Sequence, residues 1–147
     1  MKEILCTTDN NWEGLILRLL LGLIMLPHGA QKLFGVFGGD GFNATMNYFT
    51  DNMKLPMLIS LFIILIEFFG SIALIAGIST KLFAIFFIMI MLGAIMTTNF
   101  SNGFFMNWFG NQKGEGYEYH LLVIGICVAL LVTGSGKFSI DWIIMQK

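Results

Sequence analysis

Four apolar runs alternate with polar connections along this chain of 147 residues. The runs cover residues 14–34, 55–78, 82–98 and 117–133, and each falls within the roughly 17–25 residues that a membrane-spanning helix needs. Because lipid offers the backbone no hydrogen bonds, runs that cross a bilayer must be helical. The short connection 79–81 sets the second and third runs antiparallel. The pattern predicts an all-α polytopic membrane protein, an antiparallel bundle of four transmembrane helices.

Composition supports a membrane protein with a single domain over residues 1–147. Hydrophobic residues make up 56% of the chain and charged residues 12%, about half the ~25% charged content of soluble domains. The net charge of −1 gives no basic surface for nucleic acid. Cys6 and Cys127 form neither a CxxC pair nor a metal-binding spacing, so we expect no disulfide and no metal site.

The distribution of Lys and Arg predicts the orientation, because these residues are in excess on the cytoplasmic side. Five of them belong to the side of the two termini and the 79–81 turn, namely Lys2, Arg18, Lys81, Lys137 and Lys147. Three belong to the opposite side, namely Lys32, Lys54 and Lys113. We therefore expect both termini in the cytoplasm. Trp12 and Trp142 would mark one membrane interface, and Trp108, Tyr117 and Tyr119 the other.

Glu67 lies near the middle of the second apolar run. A carboxylate at the bilayer centre costs at least about 2.5–3.5 kcal/mol, so it needs a partner or a function. Arg18, His28 and Lys32 on the first run are the candidate partners. Positions that share a helix face with the charged residues also carry small residues, which indicates bundle-facing stripes. These stripes are Arg18, Gly22, Met25, Gly29 and Lys32; Glu67, Gly70, Leu74 and Gly77; and Glu118, Leu122, Gly125 and Ala129.

Depths counted from the connection between the first two runs place Glu67 between His28 and Arg18. We therefore expect an ion pair between Arg18 and Glu67, with a purely structural pair that fixes helix register as the alternative. Pro27 should kink the first helix beside His28. That kink would open a small-molecule pocket in which His28 exchanges protons. Lys32 would take part there or simply reach the membrane interface.

Several motifs, taken together, resemble those of the DoxX family. They are RLLLG (18–22), LPHGAQKLFG (26–35), EFFG (67–70), NGFF (102–105), GYEY (116–119) and the segment 134–141. The resemblance implies a four-helix protein of the bacterial inner membrane. Relatives include subunits of a thiosulfate:quinone oxidoreductase and proteins linked to membrane redox complexes or to quinone and catechol stress. The family often has a histidine where this chain has Asn99, and His120 cannot be assumed to replace it.

The leading hypothesis is a membrane subunit of a redox system that binds a quinone-like molecule among its helices. Glu67, His28 and Arg18 are its candidate catalytic residues. Its candidate substrate-binding residues are Lys32, Glu118, Tyr117 and Asn99. The sequence shows no haem, flavin or iron–sulfur motif, so quinone would be a bound substrate and electrons would come from a soluble or membrane partner.

Two other hypotheses stay open at the level of the sequence. Buried charges also suit a proton-coupled transporter of a small molecule, which at four helices would need to form a homo-oligomer. A non-catalytic assembly or scaffold subunit would use the same charges only to hold its helices together.

Overall fold

The computed structural model describes residues 8–146, so Lys2, Cys6 and Lys147 lie outside the described part of the chain. Its main elements are helices. Three of them are long and apolar enough to cross a membrane: α1 (Trp12–Phe34), α3 (Met57–Ala76) and α4 (Thr80–Asn102). The helical class and these three spans are therefore confirmed.

Three shorter α-helices, α2, α5 and α6, complete the described part of the chain. Helix α5 (Glu118–Thr133) has 16 residues and coincides with the fourth predicted run, so a fourth span stays a prediction. Helix α2 (Gly41–Asn47) lies in the connection between α1 and α3 and continues as a π-helical turn, Tyr48–Asn52. Helix α6 (Ile140–Met145) lies near the C-terminus. Neither α2 nor α6 was predicted, since each is far shorter than a membrane span.

Local signals fix both ends of α1. The Asn11 side chain accepts a hydrogen bond of 2.7 Å from the amide of Gly14, which caps the first turn. The helix runs through Pro27 without interruption and ends at Gly35, whose left-handed conformation (φ 72°) suits glycine. The end of α1 is therefore determined by Gly35 rather than by Pro27.

Helices α1 and α3 pack through glycine. A Cβ atom added to Gly29 would lie 2.5 Å from the backbone nitrogen of Phe68, and one added to Gly22 would lie 2.9 Å from the carbonyl oxygen of Ser71. Side chains at these positions would force the two backbones apart. The predicted bundle-facing stripes of α1 and α3 are confirmed, because Arg18, Glu67 and their small neighbours are buried.

The stripe predicted for α5 is wrong. Leu122 is 68% exposed and Gly125 has nothing within 4 Å of where a Cβ would be. The buried face of α5 is instead Val123, Cys127 and Leu130, which pack against α4 in the core. A helix that is apolar on all sides carries no hydrophobic periodicity from which its inner face can be read.

Candidate binding cavity and its charged pair

Glu67 forms its ion pair with Lys32 and not with Arg18. The Lys32 ammonium group contacts the Glu67 carboxylate directly, and the Glu67 side chain is only 3% exposed whereas that of Lys32 is 30% exposed. Within residues 8–146 this is the only salt bridge. Lys32 therefore does not simply reach for the interface, and the predicted Arg18–Glu67 pair is corrected.

Arg18 is buried at the other end of α1, among backbone carbonyls. Its Nε donates to Ser135 at 2.9 Å, and its Nη2 donates to Lys137 at 3.0 Å and Phe138 at 2.8 Å. Its Nη1 donates to Leu74 and Ile75, in the last turn of α3. The Leu74 carbonyl also accepts from the amide of Gly77 at 3.0 Å, and a cation is favoured at a helix C-terminus. Arg18 thus ties the C-terminal segment to α1 and α3.

Asp141, at the start of α6, adds further hydrogen bonds between the C-terminal segment and the rest of the bundle. Its carboxylate accepts hydrogen bonds from the amides of Ser79 (2.7 Å) and Thr80 (2.9 Å), so it caps the N-terminus of α4. The amide of Asp141 donates in turn to the carbonyl of Gly77. Segment 134–141 therefore closes the bundle at the end away from Glu67.

The misplaced ion pair has a geometric cause. The prediction assumed that the end of α1 and the start of α3 lie at the same depth in the membrane, as they would across a tight turn. The connection between them instead holds α2 and a π-helical turn, so the end of α1 and the start of α3 need not lie at equal depth. Lys32 and Arg18 are about 21 Å apart along α1 at 1.5 Å per residue, and only Lys32 is within reach of Glu67.

An apolar cavity of about 550 Å³ opens beside this ion pair. Lys32 and Glu67 are the only charged residues that line it. Most of its wall belongs to α3 and α4, and the connection between α1 and α3 covers one side. The lining includes Ile59, Phe62 and Ile63 of α3; Phe86, Met89, Ile90, Gly93, Ala94, Thr97 and Thr98 of α4; and Tyr48, Phe49, Met53 and Leu55 of the connection. Its size and polarity are those of a small-molecule site.

All three π-helical turns of the described chain contribute to this cavity. They are Tyr48–Asn52, Ile66–Gly70 and Ile95–Asn99. The first supplies Tyr48 and Phe49, the second Glu67, and the third Thr97 and Thr98. π-Helical turns are rare and occur frequently at functional sites. Their convergence is an argument for function that does not depend on charge.

His28 lies next to the pair but not in the cavity lining. Its ring is exposed and lies 6.1 Å from the ring of Tyr119, centre to centre. The Tyr119 hydroxyl in turn contacts the sulfur of Met25 at 3.4 Å. The cavity therefore opens beside Lys32, one turn further along α1, and not at the Pro27–His28 site where a pocket was predicted.

The other predicted binding residues organise the connection between α4 and α5. The Glu118 carboxylate accepts hydrogen bonds from the amide of Met106 (2.8 Å) and the indole of Trp108 (3.2 Å). Asn99 donates to the carbonyl of Glu115 at 2.9 Å. Tyr117 stacks on the ring of Phe100 at 6.0 Å. None of the three lines the cavity, and their roles in substrate binding stay predictions.

Sequence reasoning missed most of the cavity wall. Gly93 has open space around it, and both Gly93 and Thr97 line the cavity. The polar residues Thr97 and Thr98 at the end of an apolar run were the signal available. In residues 8–146 no cluster of His, Cys, Asp or Glu has a metal-binding arrangement.

Comparison with known proteins places these features in a family. A family model described as DoxX matches residues 14–100, which include most of α1, all of α3, most of α4, and both Lys32 and Glu67. The chain belongs to the DoxX family. The family match and the three long apolar helices thus both indicate a membrane protein.

The chain is similar to a protein of Bacillus subtilis (strain 168) that is named "Putative oxidoreductase CatD". The two sequences are 30% identical over 127 residues. The similarity covers 86% of this chain and 83% of the relative. No solved structure matches the chain.

Proposed function

We propose that this DoxX-family protein is a membrane subunit of a redox system and binds the ring of a quinone-like molecule in the cavity. One observation carries the proposal: the ion pair of Lys32 and Glu67 supplies the only charges that line an apolar cavity of about 550 Å³. A quinone matches that chemistry, since it combines an apolar ring with two carbonyl oxygens. The printed name of the relative, "Putative oxidoreductase CatD", supports the redox assignment.

The ion pair has the groups that quinone reduction needs. Reduction of a quinone to a quinol takes up two electrons and two protons. The Lys32 ammonium group has three N–H donors, so it can pair with Glu67 and still donate to a ring carbonyl. Glu67 then holds or transfers a proton at the same oxygen. The electrons come from a partner protein, which reduces the quinone while the pair supplies protons.

The cavity wall also indicates how a ligand enters. Ile59, Phe62 and Met89 line the cavity and are about half exposed on the surface of α3 and α4, the surface that faces lipid in a membrane. A lipid-soluble ring therefore enters sideways from the bilayer. If both termini are cytoplasmic, as the Lys and Arg distribution predicts, the cavity lies in the half of the bacterial inner membrane away from the cytoplasm.

Bound quinone is the direct test of this function. Wild-type protein is purified in mild detergent and extracted with organic solvent, and the extract is analysed for quinones by mass spectrometry. Lys32→Met and Glu67→Gln are processed in parallel, with Lys113→Met as a control for the loss of an exposed lysine. We expect quinone in the wild type and the control and its loss from both cavity variants. Equal quinone in all four samples, or none in any, would contradict the proposal.

The second candidate is a scaffold subunit, which the near-complete burial of Glu67 favours. In that case the pair only joins α1 to α3, and a folded double variant, Lys32→Met with Glu67→Gln, keeps all cellular function. Loss of function in a double variant of normal stability excludes this candidate.

A further inference from the structure

A short segment after α4, residues 103–110, presents large apolar side chains outward and is called the aromatic loop below. Phe105 is 66% exposed, Trp108 is 78% exposed and Phe109 is 88% exposed. An exposed apolar patch of this kind marks a contact with a partner or with a membrane. None of residues 103–110 lines the cavity, so the proposed function gives the aromatic loop no role.

Backbone contacts with the start of α5 hold the aromatic loop in a defined shape. The amide of Tyr117 donates to the carbonyl of Gly103 at 3.2 Å, and the amide of Glu118 donates to that of Phe104 at 2.9 Å. A Cβ atom added to Gly116 would lie 2.7 Å from each of these two carbonyl oxygens. The exposed rings are therefore carried by a folded support and do not belong to a loose connection.

The hydrogen-bond donors of the aromatic loop are turned inward. The carboxylate of Glu118 accepts from the amide of Met106 at 2.8 Å and from the indole Nε1 of Trp108 at 3.2 Å. The carboxylate of Glu115 accepts from the amide of Asn107 at 2.8 Å. A buried or interfacial tryptophan needs a partner for its indole N–H. Here the protein supplies that partner, so the outer side of the Trp108 ring can contact hydrocarbon without losing a hydrogen bond.

The patch continues the lipid-facing surface of α4. Met96 and Phe100, in the last turns of α4, are 81% and 68% exposed, and α4 is long and apolar enough to cross a membrane. The ring of Phe100 stacks on that of Tyr117 at 6.0 Å, and the ring of Phe104 lies 5.5 Å from Tyr117. An apolar surface that begins on a membrane span thus extends onto the aromatic loop.

We propose that the aromatic loop inserts Phe105, Trp108 and Phe109 into the hydrocarbon edge of the surrounding bilayer, and that Glu118 makes this position possible. Backbone and indole donors that lack a partner are costly in hydrocarbon. Glu118 provides partners for two of them, and hydrogen bonds to a carboxylate are stronger than those between neutral groups. Lipid is therefore the occupant of the patch. This role does not depend on whether quinone binds in the cavity.

Quenching of Trp108 fluorescence measures where the aromatic loop lies. Trp12→Phe and Trp142→Phe leave Trp108 as the single tryptophan of the full chain, and the unfolding temperature checks the fold. The protein is reconstituted in phosphatidylcholine vesicles whose acyl chains carry bromine near the glycerol end. Separate samples in unbrominated lipid receive acrylamide, which quenches from water. We expect the brominated chains to remove at least about half of the fluorescence, since the ring lies at the hydrocarbon edge, and acrylamide to remove little.

Two other results would overturn the proposal. Quenching by acrylamide without quenching by brominated lipid would place the aromatic loop in water, where its patch is free for a soluble protein partner. Protection from both quenchers would show that protein covers the patch, for example a second copy of this chain.

Glu118→Leu separates hydrogen bonding from simple hydrophobicity. The variant loses both accepted hydrogen bonds although its side chain is more apolar. In the single-tryptophan protein, we expect quenching by brominated lipid to fall about twofold and quenching by acrylamide to rise, because unpaired N–H groups favour water over hydrocarbon. Glu13→Leu, in the first turn of α1, is the matched control and should leave Trp108 unchanged. Unchanged or stronger lipid quenching in Glu118→Leu would overturn the role of Glu118. The depth of Trp108 in the parent protein tests the insertion itself, even where Glu118→Leu does not fold.

Discussion

The ammonium group of Lys32 pairs with the carboxylate of Glu67, although Arg18 lies on the same face of α1. The two cations on this face have separate tasks. Arg18 donates hydrogen bonds to the carbonyls of Leu74 and Ile75 at the end of α3 and to carbonyls of segment 134–141. Lys32 alone balances the buried carboxylate, and it does so at the wall of an apolar cavity.

Removal of Lys32 should destabilise the fold more than removal of the whole pair. Lys32→Met leaves Glu67, which is 3% exposed, as a buried charge without a partner, at a cost of about 3–5 kcal/mol. Addition of Glu67→Gln removes that charge and should restore most of the lost stability. Thermal unfolding in detergent measures both effects. A double variant no more stable than Lys32→Met would show that the pair contributes more than charge balance.

Gly29 should be intolerant of even a methyl group. A Cβ there would lie 2.5–2.6 Å from backbone atoms of Glu67 and Phe68, and backbone cannot give way as a side chain can. Gly29→Ala should therefore cost about 1–3 kcal/mol and shift Lys32 relative to Glu67. Gly125→Ala is the matched control, because Gly125 has open space and alanine favours a helix. Equal unfolding temperatures for the two variants would rule out this close packing.

Arg18→Lys should not preserve stability, although it preserves charge. The guanidinium group donates to five carbonyls in two separate segments, and an ammonium group has only three donors in a compact cluster. We expect a loss of about 2–4 kcal/mol from the unmatched carbonyls. Chemical unfolding of this variant beside Lys113→Arg measures the loss. Wild-type stability in Arg18→Lys would mean that the attachment of the C-terminal segment to α1 and α3 depends on the charge of residue 18 alone.

The sequence predicts the spans well and the connections poorly. Runs of apolar residues are a length signal, so the bounds of α1, α3 and α4 agree with the structure to within a few residues. The buried position of Glu67 was predicted too, because a charge in an apolar run has no other stable place. Its partner was not, because the choice between Arg18 and Lys32 depends on the path of residues 35–56, which no periodicity records.

The cavity itself was beyond sequence reasoning. Its three π-helical turns shift the helix register locally, and an apolar run reads the same with or without such a turn. Gly93 likewise has the same signature whether it packs against a helix or lines an opening. For α5, polar and small residues suggested a face that the structure exposes.

The most direct test of the account fills the cavity without touching its charges. Gly93→Leu places a side chain in the open space at Gly93, on the cavity wall, and Gly125→Leu places the same side chain in open space on α5, away from it. Bound quinone is extracted from both variants and measured by mass spectrometry against the wild type, after equal unfolding temperatures have been confirmed. The account predicts that Gly93→Leu loses the quinone and Gly125→Leu retains it. Equal retention in the two variants would contradict the assignment of this cavity as the binding site.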